Sequence, residues 1–70
     1  MRVLIIEDNP KMAGAIERGL REHGFAVSTS HTGFEGEELA KAESFDLVIL
    51  DLMLPDRDGV DLCRNLRRQC

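Results

Sequence analysis

The chain has no tryptophan, no tyrosine and only three phenylalanines, Phe25, Phe34 and Phe45. These are too far apart in sequence to form an obvious stacking platform for nucleobases. Positive charge is also scarce: nine Lys and Arg face thirteen Asp and Glu among seventy residues, a net charge of −4. A protein that follows a phosphate backbone needs a basic surface to displace counterions, so this balance argues against direct nucleic-acid contact by this segment. No apolar run approaches the roughly 20 residues of a membrane span. Met1-Arg2 leads into only four strongly apolar residues before Glu7-Asp8, which does not fit a signal peptide. The expected location is the cytoplasm, with no membrane contact.

Cysteine is too sparse for a disulfide framework. Cys63 and Cys70 stand seven residues apart in what reads as one helix, roughly 10 Å along its axis. That exceeds the Cα separation a disulfide tolerates. Cys63 reads as a small core residue on an apolar face, and Cys70 as able to cross-link two copies only under oxidation. Neither has a Cys or His partner at zinc-ligand spacing. His23 and His31 read as surface residues, and no Ser-His-Asp or Cys-His set can be assembled around either.

What is present is ordinary globular material, 43% hydrophobic and 31% charged. A domain of this length buries only about 60% of its unfolded surface, so its stability is marginal without a metal, disulfides or a partner. Strand and helix patterns alternate three times. Val3-Leu4-Ile5-Ile6 is a continuous, mostly β-branched run, as in a strand buried on both faces. Asn9-Pro10 opens a helix as N-cap and first helical residue, with Met12, Ile16 and Leu20 as its expected buried stripe and His23-Gly24 as its stop. Ala26–Ser30 mixes apolar and polar positions and suits a sheet edge. Thr32-Gly33-Phe34-Glu35 is a capping-box pattern opening a helix through Ala42, which Gly36 is expected to weaken. Leu47-Val48-Ile49-Leu50 is the second fully apolar run. After a loop, a third helix begins near Val60 with Val60, Cys63 and Leu66 on one side.

This alternation implies an α/β fold of three βα units with parallel strands and right-handed crossovers. The two continuous apolar runs should be neighbours with the mixed strand outside, giving the order 2-1-3. In such sheets ligands sit beyond the carboxyl ends of the strands, where successive crossovers leave in opposite directions. Here that point lies between the first and third strands, which end in Glu7-Asp8 and Asp51. Strands about 4.8 Å apart bring these three acids together. Unpaired carboxylates at that spacing repel, and a hard divalent cation such as Mg²⁺ relieves the repulsion. Asp56 and Asp58, beside Gly59, read as turn formers rather than ligands. Met53 reads as a packing side chain unless its backbone carbonyl is what matters.

The stretches Val3–Pro10 and Asp46–Asp56, followed by Asp58-Gly59, resemble a response-regulator receiver domain, and the resemblance covers essentially the whole chain. It implies a flavodoxin-like fold. It further implies that Asp51 is the phosphoryl acceptor, charged by a sensor histidine kinase. Glu7, Asp8 and Asp51 would hold Mg²⁺, joined by the backbone carbonyl of Met53, with Glu7 acting through water. The Glu-Asp pair and the Leu-Pro-Asp loop are similar to the subgroup with a winged-helix DNA-binding domain, which implies transcription control in a longer parent protein.

Against that pattern residues 1–70 read as the N-terminal half of a receiver domain. The fourth strand with its switch Ser or Thr, the fifth strand with its phosphate-binding Lys, and the DNA-binding domain are expected to be absent. Lys11, Lys41, Thr29 and Thr32 lie in the wrong segments for those roles. The expected partner for the bare third-strand edge is a second copy, making a homodimer by antiparallel edge pairing or by a swap of the third helix. Two other readings stand beside this one. One is a pseudo-receiver scaffold that only dimerises. The other is an aspartate-nucleophile phosphatase or phosphotransferase of the haloacid-dehalogenase type, which wants an acid two residues beyond the nucleophile, where this chain has Met53. The leading reading makes the chain a phosphoacceptor, not an enzyme.

Overall fold

The computed structural model describes residues 1–69. Three βα units follow one another: β1 (Arg2–Ile6), α1 (Pro10–Glu22), β2 (Ala26–Ser30), α2 (Gly33–Ala42), β3 (Leu47–Leu50) and α3 (Gly59–Gln69). The strands form one parallel sheet in the order β2-β1-β3, the order expected from the patterning and in keeping with the flavodoxin-like fold that the resemblance implies. Val3 stands opposite Val27 on one side and Leu47 on the other.

Because side chains alternate across a strand, β1 supplies both hydrophobic layers. Leu4 and Ile6 pack with Leu54, Leu62 and Leu66 on the face covered by α2 and α3. Val3 and Ile5 pack with Val27, and with Ile16, Leu20 and Phe25, on the α1 face. These four of the five β1 residues are 0% exposed, and each contributes about 1.5–3 kcal/mol by leaving water. Neither neighbouring strand is buried to this degree. β3 is as apolar as β1, yet among the described residues no strand pairs with its outer edge, and Leu47 is 44% exposed.

The caps fall where the residue types indicated. Asn9 Oδ1 accepts from the amides of Lys11 and Met12 at 3.0 and 3.2 Å, with Pro10 opening the helix. His23 closes α1, and Gly24 follows in the left-handed region at φ +86°, where a side chain would be strained.

Two expected helix stripes need correction. Met12 is 54% exposed, and Ala13 is the residue buried in α1. The small side chain lets the first turn lie close to the sheet, so the stripe is Ala13, Ile16 and Leu20. On α3, Val60 is half exposed while Leu62 is fully buried, together with Leu66. Cys63 is half-buried and lines a groove with Phe45, Val48 and Leu50 instead of entering the core. The expectation for Cys70 lies outside the described residues. Gly36 also serves differently from its expected role as a weak point. α2 is continuous through it, and a Cβ there would stand 2.5 Å from Ile6 Cδ1. The glycine is the seat on which β1 packs.

Candidate functional site

The carboxyl ends of β1 and β3 meet because Ile6 pairs with Leu50. The register continues one step beyond the strands. Asp51 N–H donates to Ile6 O at 3.0 Å, and Glu7 N–H donates to Ser30 O at 3.0 Å. These bonds fix where each acid leaves the sheet. Glu7, Asp8 and Asp51 each offer a carboxylate oxygen, and these oxygens all lie within 4.8 Å of one another. The three acids singled out from strand-end position alone do converge.

Local bonds orient the cluster. Asn9 N–H donates to Glu7 Oε1 at 3.2 Å, so the residue that caps α1 also holds the first acid. Met53 N–H donates to Asp51 Oδ1 at 2.9 Å, an Asx turn that sets its peptide beside the cluster. The Met53 side chain is 86% exposed, so it is not the packing residue its type suggested, and only its main chain is engaged here.

Among the described residues no Lys or Arg pairs with these three acids; the basic side chains that form ion pairs do so with Glu43, Glu17, Glu38, Glu37 and Asp61. Partial burial, together with the facing charges of Asp51 and Asp8, pushes the Glu7 carboxyl above its usual range, against the opposing Asn9 amide. A set of three hard oxygen donors, with no basic partner among the described residues, fits a small divalent cation. Mg²⁺ suits it, because that ion takes one or two carboxylates plus water and phosphate oxygens.

The remaining acids of the loop do other work. Asp58 Oδ1 accepts from Val60 N–H at 2.8 Å and Asp61 N–H at 3.3 Å, at the start of α3. Asp56 accepts from Gly33 and Phe34 N–H, both at 2.9 Å, at the start of α2. Those two amides hold the Asp56 carboxyl below its ordinary value. The spacing of Asp56 and Asp58 from Gly59 signals a turn, but the attachment of Asp56 to a helix 22 to 23 residues earlier has no local signature. The same holds for the ion pair of Arg57 with Glu37, which Asn65 Nδ2 also reaches at 3.5 Å.

His31 and His23 are exposed, as expected. His31 Nδ1 lies 3.1 Å from the main-chain oxygen of Glu7 and does not bond its carboxylate. Thr29 donates to Glu17 at 2.6 Å, Thr32 caps α2, and Lys41 pairs with Glu38. None of these joins the acidic cluster.

Comparison with known proteins identifies the family. A family model described as the response regulator receiver domain matches residues 3–70. The chain is 49% identical over 67 residues to the cell cycle transcriptional regulator CtrA of Caulobacter vibrioides, covering 96% of this chain and 29% of that protein. It thus spans under a third of the length of the curated relatives it matches. A response regulator from Burkholderia pseudomallei, solved with a phosphorylated aspartic acid, calcium and citrate, superposes with a TM-score of 0.91 at 37% identity, covering 97% of this chain and 40% of that one. The receiver domain of the sensor histidine kinase PA1611 from Pseudomonas aeruginosa, with magnesium coordinated in its active-site cleft, also gives 0.91, at 32% identity, covering 97% and 56%.

Proposed function

From the premise that this chain belongs to the response regulator receiver domain family, we propose that Asp51 is its phosphoryl acceptor. We further propose that Glu7, Asp8 and Asp51, with the backbone carbonyl of Met53, hold Mg²⁺ beside it. The observation that carries this reading is the meeting of three carboxylates from neighbouring strand ends within 4.8 Å, with no basic partner among the described residues.

The residues then divide the work. Asp51 is the nucleophile: a carboxylate oxygen bonds to phosphorus while the bond from phosphorus to the donor's imidazole nitrogen breaks, giving an aspartyl phosphate. The Met53 amide fixes the orientation of that carboxylate before the donor arrives. Glu7 and Asp8 supply the negative charge that keeps a cation at the strand ends. A Mg²⁺ held by these residues would supply positive charge to offset that of the transferring phosphoryl group. The chain acts in this reaction as an acceptor and is not a turnover catalyst. The donor class is a sensor histidine kinase, and the output is transcription control in a longer protein.

Incubation with a small acyl-phosphate donor and Mg²⁺, followed by intact-mass measurement, tests the acceptor. One added phosphoryl group is expected on the wild type and none on Asp51→Asn; modification that survives the substitution overturns the assignment.

The partner proposed for the bare edge of β3 is a second copy of the chain. Leu47 is 44% exposed there, and an apolar groove runs beside it between Phe45, Val48, Leu50, Cys63 and Leu66. Antiparallel pairing of two β3 edges satisfies the open backbone groups with one self-complementary contact. Light scattering on the reduced 70-residue chain should report a dimer; a cooperatively melting monomer at micromolar concentration refutes it.

A further inference from the structure

The loop between β3 and α3 carries Asp51 and Met53 at one end and is fastened to α2 near the other. Leu54 dips into the core beneath α2 and is 7% exposed. The Asp56 carboxylate spans two main-chain amides of α2, those of Gly33 and Phe34, at 2.9 Å each. The loop crosses the helix at Gly33, where a Cβ would stand 2.8 Å from Arg57 Cβ and 3.2 Å from Leu54 Cδ1. A glycine is required at that crossing.

α2 does not need Asp56 in order to begin. Its own N-cap is Thr32, whose hydroxyl accepts from Glu35 N–H at 3.1 Å. Asp56 takes the first two amides, which Thr32 does not reach. What the second carboxylate adds is a tie between the loop and the helix. The Arg57–Glu37 ion pair joins the same two elements, but through long side chains with many rotamers. Asp56 has a short side chain and two bonds to main chain, so it restricts the loop more tightly. Met53, with its side chain in solvent, is located only by its neighbours: the Asp51 turn before it, and the anchors at Leu54 and Asp56 after it.

We propose that Asp56 is a positioning residue: by tying the β3–α3 loop to the first turn of α2, it holds the Met53 peptide beside Asp51 and thereby sets the affinity of the metal site. Asp56 is not a member of the acidic cluster, so its influence is conveyed through the loop. The effect on affinity rests on the metal reading given above; the effect on the loop does not.

Two variants separate positioning from simple stability. Asp56→Ala removes the tie, and Thr32→Ala removes the other cap of the same helix while leaving the tie intact. Calorimetric titration with Mg²⁺ should show binding weakened about tenfold in Asp56→Ala, the scale of losing an outer-shell partner of a metal site. Thr32→Ala should stay within about twofold of the wild type. Amide hydrogen exchange at Met53, measured without metal, should accelerate in Asp56→Ala and not in Thr32→Ala, with β1 amides protected in both. Wild-type Mg²⁺ affinity in Asp56→Ala, or equal weakening in the two variants, overturns the proposal. If the wild type binds no Mg²⁺, the metal reading fails, and Met53 exchange alone decides whether Asp56 positions the loop. Should Asp56→Ala not fold, Asp56→Asn, which keeps one acceptor oxygen, is read by the same two measurements.

Discussion

Two groups of carboxylates lie close together in this chain and meet opposite electrostatic conditions. Asp56 and Asp58 each accept two main-chain amides at the start of a helix, where partial positive charge welcomes an anion. Glu7, Asp8 and Asp51 face one another at the ends of strands, which carry little net dipole. The fold lowers the affinity of Asp56 for a proton and raises that of Glu7. Helix-end acids are thus partnered within the chain, whereas the strand-end acids have no basic side chain beside them among the described residues, which is what the proposed cation would supply. This difference separates acids whose charge the chain's own amides meet from acids that face one another, in a sequence where more than one residue in six is Asp or Glu.

The contrast is tested most severely by adding the cation. Mg²⁺ at ten times its Kd should stabilise the fold by about 1.4 kcal/mol, seen as a rise of several degrees in Tm, and Asp51→Asn should abolish that rise. A Tm indifferent to Mg²⁺ breaks the comparison. The pH dependence has opposite signs in the two groups. Folding raises the Glu7 pKa, so the metal-free protein binds more protons than the unfolded chain there, and its stability falls as pH rises through that range. Mg²⁺ selects the ionised form, so its stabilisation grows over the same range and fades on acidification. Asp56 and Glu17, both held low, contribute stability above their ordinary pKa values. They lose it as pH falls through the lowered ones. Chemical denaturation with and without Mg²⁺ across acidic pH reads both trends.

A smaller effect sharpens the helix side. Asp58→Ala leaves the first amides of α3 without their acceptor and should destabilise by roughly 1 kcal/mol, measured by urea denaturation. The smallest effect has the opposite sign. Asp8→Asn removes one of three mutually repelling charges and should stabilise the metal-free protein by roughly 0.3 kcal/mol. If both substitutions destabilise alike, the two groups of acids are not different in kind.

Much of this was legible in the sequence where the signal is local. An apolar run ending in an acid marks both β1 and β3, and relative apolarity ordered the strands. Parallel pairing then forces the ends of β1 and β3 together, so the acidic cluster follows from a short chain of local facts. What was not legible depends on distances between elements. Choosing Met12 over Ala13, or Val60 over Leu62, assumes that the bulkier pattern faces inward, but how closely a helix approaches the sheet decides which residue is buried. Gly36 reads as a helix defect until Ile6 is found against it. The links from Asp56 and Arg57 to α2 join residues more than fifteen positions apart with side chains that also suit an ordinary turn, so no spacing rule announces them.

The central place of β1 has a consequence for how the protein is made. β1 leaves the ribosome before either strand it pairs with: Arg2 waits for Ala26, 24 residues on, and Val3 waits for Leu47, 44 residues on. Pairing over such separations is slow because a long loop must close first. Until β3 emerges, the strand that ends up most deeply buried has one edge open and part of its surface bare, the state in which aggregation competes with folding. The segment that organises the finished sheet is therefore the one that most needs shielding during synthesis.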